Sequence, residues 1–325
     1  MAHIGKMVFE SIVRPEHRGF LLVDSLCERF TYHTREEWLE KIQSGAVLVN
    51  GIVATIETRV ETGNQVLYQI DNYAEPDVPT HFDVLYEDDE FLLVDKPAGV
   101  PVHHTGRIFF NTFTSILRRA FDNEEITPMH RLDRDTGGIM LFSKTRDTGA
   151  RFQRHLDRIL LKKKYLAVVH GRFPQEIERC DLSLQEKKDS RIRLKMYPCL
   201  EGKPSTTLFQ LQKVREENFR TLTGPFSFVE AELVTGRKHQ IRAHLAALGY
   251  PVVADRLYGH EGFYYEKMLN APLTAEDYAI LGAENQMLHA YKVLLMLPYF
   301  KEARWFESKA FTPEMQEMLT VPSNV

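Results

Sequence analysis

Hydrophobic positions divide the chain into a short first region and a longer second one. In the first region, Trp38 and Ile42 lie four residues apart, a spacing that gives a helix one apolar face. Thr34 and Glu37 have the spacing of a capping box, in which each side chain accepts the other residue's backbone N–H. Gly45 is suited to end the helix. The pattern therefore predicts a short amphipathic helix between Thr34 and Gly45.

A hairpin pattern follows this helix. Ala46–Val49 has the composition of a strand, Asn50-Gly51 is typical of a tight primed turn, and Ile52–Ala54 begins the return strand. A helix followed by a hairpin predicts a compact module over residues 18–69, with residues 1–17 as an N-terminal extension.

The second region contains apolar runs of strand length with helical spacing between them. The runs are Phe91–Val94, Ile139–Phe142, Tyr165–Val169, Thr207–Leu211 and Val229–Val234. Helical spacing relates Phe152, Leu156 and Ile159, and again Ile241, Leu245 and Leu248. The irregular order of these elements predicts an α+β domain on a mixed, largely antiparallel sheet. We assign it to residues 82–318 and leave 319–325 as a tail.

Composition narrows the class of protein. The 325 residues are 43% hydrophobic and 26% charged, which excludes a coiled coil and wholesale disorder. The three cysteines lack CxxC spacing and argue against a disulfide framework or a zinc finger. The sequence contains no apolar run long enough for a membrane helix or a signal peptide. We therefore expect a cytoplasmic protein, acting as a monomer.

Charge is distributed unevenly along the chain, although the formal net charge is only −4. Residues 69–91 carry eight acids and no Lys or Arg, and two X-Pro steps favour extended backbone, so we interpret residues 70–81 as a linker. By contrast, Arg131–Arg172 holds eleven Lys and Arg against four Asp, and Lys187–Lys203 holds six against two acids. These stretches are either nucleic-acid-binding faces or ordinary solvated surface.

The densest group of polar residues lies in PMHRLDRDTGGIMLFSKT, which begins at Pro128. Asp133 lies between basic residues there, so it is either an ionised catalytic carboxylate or part of a salt-bridged loop. A second stretch, TGRKHQIRAHLAALGYPVVADRLYG, places Arg242 near the start of a helix, where it could pair with Asp133. His239 and His244 are five residues apart and do not share a helix face, which disfavours a zinc site.

Together these motifs strongly resemble the RluA-type family of RNA pseudouridine synthases. Supporting motifs are LLVDKPAGVPVHH at 92–104, KKYLAVVHG at 163–171, EGKPSTTLFQL at 201–211 and LHA at 288–290. The resemblance covers about residues 82–318. In two places the chain departs from the family pattern: Gly137 replaces a Ser, and Ala254 replaces a Gly.

The resemblance implies an isomerase that converts uridine in RNA to pseudouridine without a cofactor or metal. It implies that Asp133 is the essential carboxylate, that Tyr165 stacks on the target base, and that Arg242 pairs with Asp133. Arg131 corresponds to the residue that fills the gap left by the flipped base. Whether the carboxylate attacks C1′ of the ribose or acts as a base stays open. Further expected RNA contacts in this domain are His130, Arg134, Lys163, Lys203 and His239.

The first module resembles the alpha-L RNA-binding motif of the ribosomal S-four type, on the strength of its helix and GAVLVNG hairpin. Arg35 and Lys41 are the expected RNA contacts. Leu22 stands where that motif usually has a basic residue, and residues 18–68 hold five Lys and Arg against seven acids. A purely structural hairpin adaptor is the alternative.

The sequence thus predicts an RNA pseudouridine synthase, with ribosomal RNA favoured as the substrate because of the added module. Transfer RNA is the alternative substrate, and a non-catalytic RNA-binding or ribosome-assembly protein is the alternative function. A glycosidase using Asp133 with Asp135 is disfavoured, because Asp135 can pair with Arg134 instead.

Overall fold

A computed structural model describes residues 2–30, 33–105, 108–187 and 189–320. The chain divides into two compact units. The first contains the chain up to Asp77 together with His104–Asn111, and the second contains Val78–His103 and the chain from Thr112 onward. Of the predicted tail at 319–325, only residues 319 and 320 are described, and they belong to the last helix.

The first unit packs two helices on a small antiparallel sheet. Its elements are β1 Ala2–Ile12, α1 Leu22–Arg29, α2 Arg35–Gln43, β2 Val47–Val49, β3 Ile52–Val53 and β4 Gln65–Glu75, with sheet order β1-β4-β2-β3. Both halves of the predicted capping box are present, with Glu37 N–H donating to Thr34 Oγ1 at 3.2 Å and Thr34 N–H donating to Glu37 at 2.8 Å. Trp38 and Ile42 are buried, so the predicted apolar face of α2 is confirmed.

Two predicted boundaries of this unit are wrong. Residues 1–17 are not a separate extension, because β1 pairs along the whole length of β4. Residues 70–75, predicted as part of the linker, lie in β4. The acidic residues suggested an open linker, but Tyr68 and Tyr73 of the same strand pack against Phe9 of β1, at ring-centroid distances of 6.1 and 5.8 Å. Apolar cross-strand contacts therefore outweigh the local charge.

Glu75 ties a later segment of the chain into the first unit. Its buried carboxylate accepts the backbone N–H groups of Phe109, Phe110 and Asn111 at 2.8, 2.9 and 2.7 Å. The Phe109 ring lies 4.3 Å from the ring of Phe9, centroid to centroid. The segment at 104–111 is thus part of this unit.

The second unit is an α+β domain, as predicted. Its strands are β5 Asp83–Glu87, β6 Phe91–Lys96, β7 Thr127–Pro128, β8 Gly137–Ser143, β9 Leu160–His170, β10 Arg179–Cys180, β11 Leu184–Glu186, β12 Met196–Pro198, β13 Thr207–Arg215, β14 Phe226–Leu233, β15 Leu288–Leu295 and β16 Arg304–Glu307. Its helices are α3 Phe113–Ala120, α4 Arg146–Phe152, α5 Leu156–Ile159, α6 Gln240–Ala247, α7 Phe263–Asn270, α8 Ala275–Leu281 and α9 Pro313–Thr320.

A ten-stranded mixed sheet organises this unit within the described residues. Its main path is β10-β13-β14-β9-β15-β8-β6-β5, with β16 on β15 and β7 on β8. Of the strand pairs described, only β15 with β8 is parallel. The five predicted strands are all present; β6 and β8 are buried throughout, whereas β13 is only partly buried.

One predicted helix is interrupted. The spacing of Phe152, Leu156 and Ile159 predicts a single helix, but α4 ends at Phe152 and a 3₁₀ turn separates it from α5. By contrast, α6 spans Gln240–Ala247, close to the predicted position. In the part of the chain that the structure describes, no helix is long and apolar enough to cross a membrane.

Candidate active site

The loop that carries Asp133 leads directly into β8, whose residues are all buried. Lys96, fully buried on β6, holds this loop in place. Its Nζ donates to the carbonyls of Pro97 and Val100 at 2.9 Å and to the carbonyl of Arg134 at 3.2 Å. Burial lowers the pKa of Lys96 to about 7, and the three carbonyls match the three N–H donors of its protonated form, which anchors the loop beside Asp133.

Arg242 connects two carboxylates at the start of α6. Its Nη1 donates to Asp133 Oδ2 at 2.7 Å, so the expected ion pair is present. Its Nε and Nη2 donate to Asp255 Oδ2 and Oδ1 at 2.7 and 2.8 Å. Asp255 also accepts the backbone N–H groups of Leu257 and Tyr258 at 2.9 and 3.0 Å. Removing one partner from such a buried ion pair costs about 3–5 kcal/mol.

These contacts keep Asp133 ionised. Burial alone would raise the pKa of the Asp133 carboxyl, but His239 when it is protonated in acid, the charge of Arg242 and the hydrogen bond from Arg242 bring that pKa below its ordinary value. Burial lowers the pKa of His239 to about 4, so this ring is neutral at neutral pH. Arg242 is therefore the cation that stabilises the Asp133 carboxylate there.

Asp133 opens onto a cavity of 360 Å³ in the second unit. Tyr165 on β9 forms part of its wall, with 6% of its surface exposed. Burial, with a smaller effect from the Asp133 charge, raises the pKa of Tyr165, so the phenol is protonated at neutral pH. The cavity brings together an ionised carboxylate, an aromatic ring and an arginine fork, a combination able to hold a planar base next to an anion.

Some of the predicted RNA contacts also line this cavity. Arg131 is exposed, and Lys163 is half-buried with its pKa lowered by burial. His239 has a left-handed backbone, with φ of 54°, and its Nε2 lies 3.8 Å from Asp133 Oδ1. His130 accepts the Leu141 N–H at 3.1 Å, and burial lowers the pKa of His130 to about 3, so it carries no charge at neutral pH.

The other predicted RNA contacts do not line the cavity. Arg134 is exposed and donates from Nε to the Gly99 carbonyl at 3.1 Å. Lys203 is exposed beside β11, where its backbone pairs with Leu184. In the first unit, Arg35 forms an ion pair with Asp24, and Lys41 lies half-exposed in the last turn of α2.

Sequence reasoning missed several residues that support the site. The only sequence signal for Asp255 is that the family pattern has Gly at the preceding position. Ala254 occupies that position here with a left-handed backbone, φ of 60°, a conformation that favours glycine. Gln286 donates from Nε2 to the Thr136 hydroxyl at 2.6 Å, a contact across 150 residues. The presence of Gly137 where the family pattern has Ser also has a physical reason, since a Cβ at this position would lie 3.0 Å from His289 Nδ1.

The sequence of this chain is similar to those of known RNA pseudouridine synthases. A family model described as "RNA pseudouridylate synthase" matches residues 90–247. The chain is 32% identical to "Ribosomal large subunit pseudouridine synthase D" of Xanthomonas campestris, over 84% of this chain and 80% of that protein. It is 30% identical to "tRNA pseudouridine(32) synthase, mitochondrial" of Saccharomyces cerevisiae, over 78% of this chain and about half, 53%, of that protein's length.

A solved structure supports the fold. "Human RNA Pseudouridylate Synthase Domain Containing 1" superposes with a TM-score of 0.53 at 24% identity, over 72% of this chain and 86% of that one. At this level of identity the likeness concerns the fold alone.

Proposed function

The chain belongs to the RNA pseudouridine synthase family, and on that premise we propose that it isomerises specific uridines of a structured RNA, with ribosomal RNA as the favoured substrate. Transfer RNA is the alternative, since the named relatives include enzymes of both kinds. The observation that carries the proposal is the Asp133–Arg242 pair at 2.7 Å, opening onto a cavity walled by Tyr165. Action in the cytoplasm as a monomer stays a prediction.

Asp133 is the proposed reacting group. The uridine must leave its stack to enter the cavity, at a cost of a few kcal/mol. The N1–C1′ bond then breaks, the uracil turns, and a C5–C1′ bond forms as the C5 proton is lost to water and N1 takes up a proton, so that the product is an isomer of uridine. Positive charge develops on the ribose in this step, and the Asp133 carboxylate supplies the matching negative charge. Attack on C1′ and proton abstraction from the ribose both fit this placement.

Tyr165 and the cations around the cavity have supporting roles in the proposal. The Tyr165 ring stacks on the flipped base, a contact worth about 1–3 kcal/mol. Arg131, exposed at the cavity, occupies the gap left in the RNA. Lys163 has no ion-pair partner within the described residues, and a phosphate of the flipped nucleotide would provide one.

Replacing Asp133 by Asn tests the chemistry. The substitution keeps the side-chain shape and removes the charge, so the reaction should stop while RNA binding persists. RNA tritiated at uracil C5 should release label to water with the unmodified protein and not with Asp133→Asn.

A matched control lies two residues away. Asp135→Asn removes the same charge from the same loop, but Asp135 pairs with Arg256 and does not line the cavity. This variant should release label at close to the full rate. Equal release by Asp133→Asn and the unmodified protein would overturn the role of Asp133, and no release by the unmodified protein would favour the non-catalytic RNA-binding alternative.

Mapping distinguishes the two substrate classes. Pseudouridines should be mapped in ribosomal and transfer RNA from cells with the protein, without it, and with Asp133→Asn in its place. The proposal expects a ribosomal position that loses modification in the last two strains. A loss confined to transfer RNA would replace ribosomal RNA by the alternative.

A further inference from the structure

The guanidinium of Arg242 is shared unequally between its two carboxylates. Asp255 receives two of the three donated N–H groups and Asp133 receives one. The Asp255 side chain has no exposed surface and is fixed by two backbone N–H groups, whereas the Asp133 side chain is 22% exposed. The orientation of the fork is therefore set from the Asp255 side.

We propose that Asp255 is a positioning residue for the isomerisation, which holds the Arg242 fork so that an Nη1–H meets Asp133. This inference rests on the proposed function. Asp255 does not line the cavity, and it acts on the reaction only through Arg242.

The geometry explains why a fixed fork is needed. Held by Asp255, the fork touches Oδ2 of Asp133 and leaves Oδ1 without a contact from Arg242. One oxygen of the carboxylate is then ion-paired, and the other is available to the substrate. Asp255 also neutralises Arg242 when the negative charge of Asp133 is consumed or displaced during the reaction, so that no buried cation is left unpaired.

Loss of this anchor should change how Asp133 titrates. An Asn at position 255 turns an N–H group toward a guanidinium that has no acceptor to offer, so the fork loses its alignment with Asp133. Removing the negative charge of Asp255 would by itself lower the pKa of Asp133. The lost contact from Arg242 acts the other way, because burial, which raises this pKa, is then opposed less strongly, so an upward shift reports the misaligned fork. The ionisable groups whose charges act on or respond to Asp133 are Lys96, Arg131, Tyr165, His239, Arg242 and Tyr258.

The test measures label release from C5-tritiated RNA in single turnover at saturating RNA, as a function of pH. Asp255→Asn should slow the reaction by about tenfold to a hundredfold, as expected for a misplaced reacting group, with RNA affinity unchanged. The acidic limb of its pH–rate profile should move up by about one unit. An acidic limb that stays in place or moves down overturns the proposal.

A double-variant comparison separates positioning from a merely structural role. Lys at position 242 can make a point contact but cannot bridge both carboxylates, so Arg242→Lys should lose most activity. If Asp255 acts through Arg242, adding Asp255→Asn to Arg242→Lys should slow the reaction no further. If the rate losses of the two single variants multiply in the double variant, the proposal is overturned. Full activity of Arg242→Lys also overturns it, and this single variant still tests the proposal if Asp255→Asn does not fold.

Asp277→Asn is the control variant. Asp277 is likewise a buried carboxylate with one cationic partner, Lys267 at 2.7 Å, and it lies outside the cavity. Its rate and acidic limb should match those of the unmodified protein. The unmodified protein also reports on the proposed function itself: if it releases no label, that function fails, whereas release with multiplying losses refutes only the role of Asp255.

Discussion

Asp95 is a buried carboxyl group on β6, next to Lys96, which anchors the loop that carries Asp133. Its side chain is 3% exposed, and its Oδ1 has no hydrogen-bond partner within the described residues. His289 Nε2 lies 3.8 Å from that oxygen, but burial lowers the pKa of His289 to about 3, so the ring supplies no charge at neutral pH. Burial therefore dominates and raises the pKa of Asp95 to about 6.

This shift makes the stability of the fold depend on pH. Because the folded-state pKa of about 6 lies above the ordinary 3.8, the stabilisation from protonated Asp95 is complete below about pH 4 and is lost as the pH rises through 6. Asp95→Asn should reduce the fall in unfolding free energy between pH 5 and pH 7.5 by about 1–2 kcal/mol. Denaturant titrations at the two pH values measure this. The exposed Asp89, changed to Asn, is the control and should leave the fall intact.

The sequence predicts some of the candidate catalytic residues but not the residues that hold them in place. Asp133 and Arg242 lie in short motifs, so their pairing could be expected. Asp255 could not be assigned, because its role depends on the turn that brings its carboxylate back to Arg242 from 13 residues away. Lys96 lies in one of the supporting motifs, but its contacts could not be predicted, since no local pattern shows which carbonyls a buried lysine will reach.

At the scale of elements, β8 and β15 approach each other closely, next to Thr136 and Leu288, which line the cavity. Gly138 has φ of 114°, and a Cβ at this position would lie 2.6 Å from the backbone N of Ala290. The parallel pairing of these two strands is therefore possible only with glycine there.

Gly138→Ala should destabilise the second unit severely. The added methyl group overlaps backbone that cannot move without breaking the strand pairing, so we expect a loss of about 3 kcal/mol in unfolding free energy. Gly249→Ala is the control, because Gly249 has φ of 89° but open space around its Cβ position. It should cost about 1 kcal/mol, from backbone strain alone. Similar losses for both variants, measured by denaturant unfolding, would show that the close approach is unimportant.

The elements themselves were predictable where the pattern was strong. The strands β6 and β8 are apolar runs that are buried throughout, and residues 165–169 of β9 form a largely buried apolar run, so the sequence marks them directly. The strand β4 was partly taken for a linker, because its partner β1 comes from the other end of the unit and leaves no local signal. The parallel pairing of β15 with β8 likewise depends on chain separation of about 150 residues and has no sequence pattern.

At the scale of the whole molecule, the proposed RNA-binding role of the first unit depends on few charges. On α2, Arg35 is paired with Asp24, whereas Lys41 has no ion-pair partner within the described residues. If this unit contacts phosphate, Lys41 therefore contributes more than Arg35.

Lys41→Ala should reduce the slope of log Kd against log salt by about one unit, the value for one lost phosphate contact. Arg35→Ala should change the slope less, because Asp24 already neutralises much of its charge. Binding of structured RNA to the full chain at several salt concentrations measures both slopes. A slope unchanged by Lys41→Ala would favour the structural-adaptor interpretation of this unit.

The segment at 104–111 limits how the N-terminal region of such a chain can be exchanged between genes by recombination. Because the first unit takes in this segment, the chain passes between the units after residues 77, 103 and 111. A recombination at residue 77 would separate Glu75 from its three amide donors and Phe9 from Phe109. The region before residue 77 is therefore not a self-contained cassette, and a gene that acquired it would also need the 104–111 segment to keep these contacts.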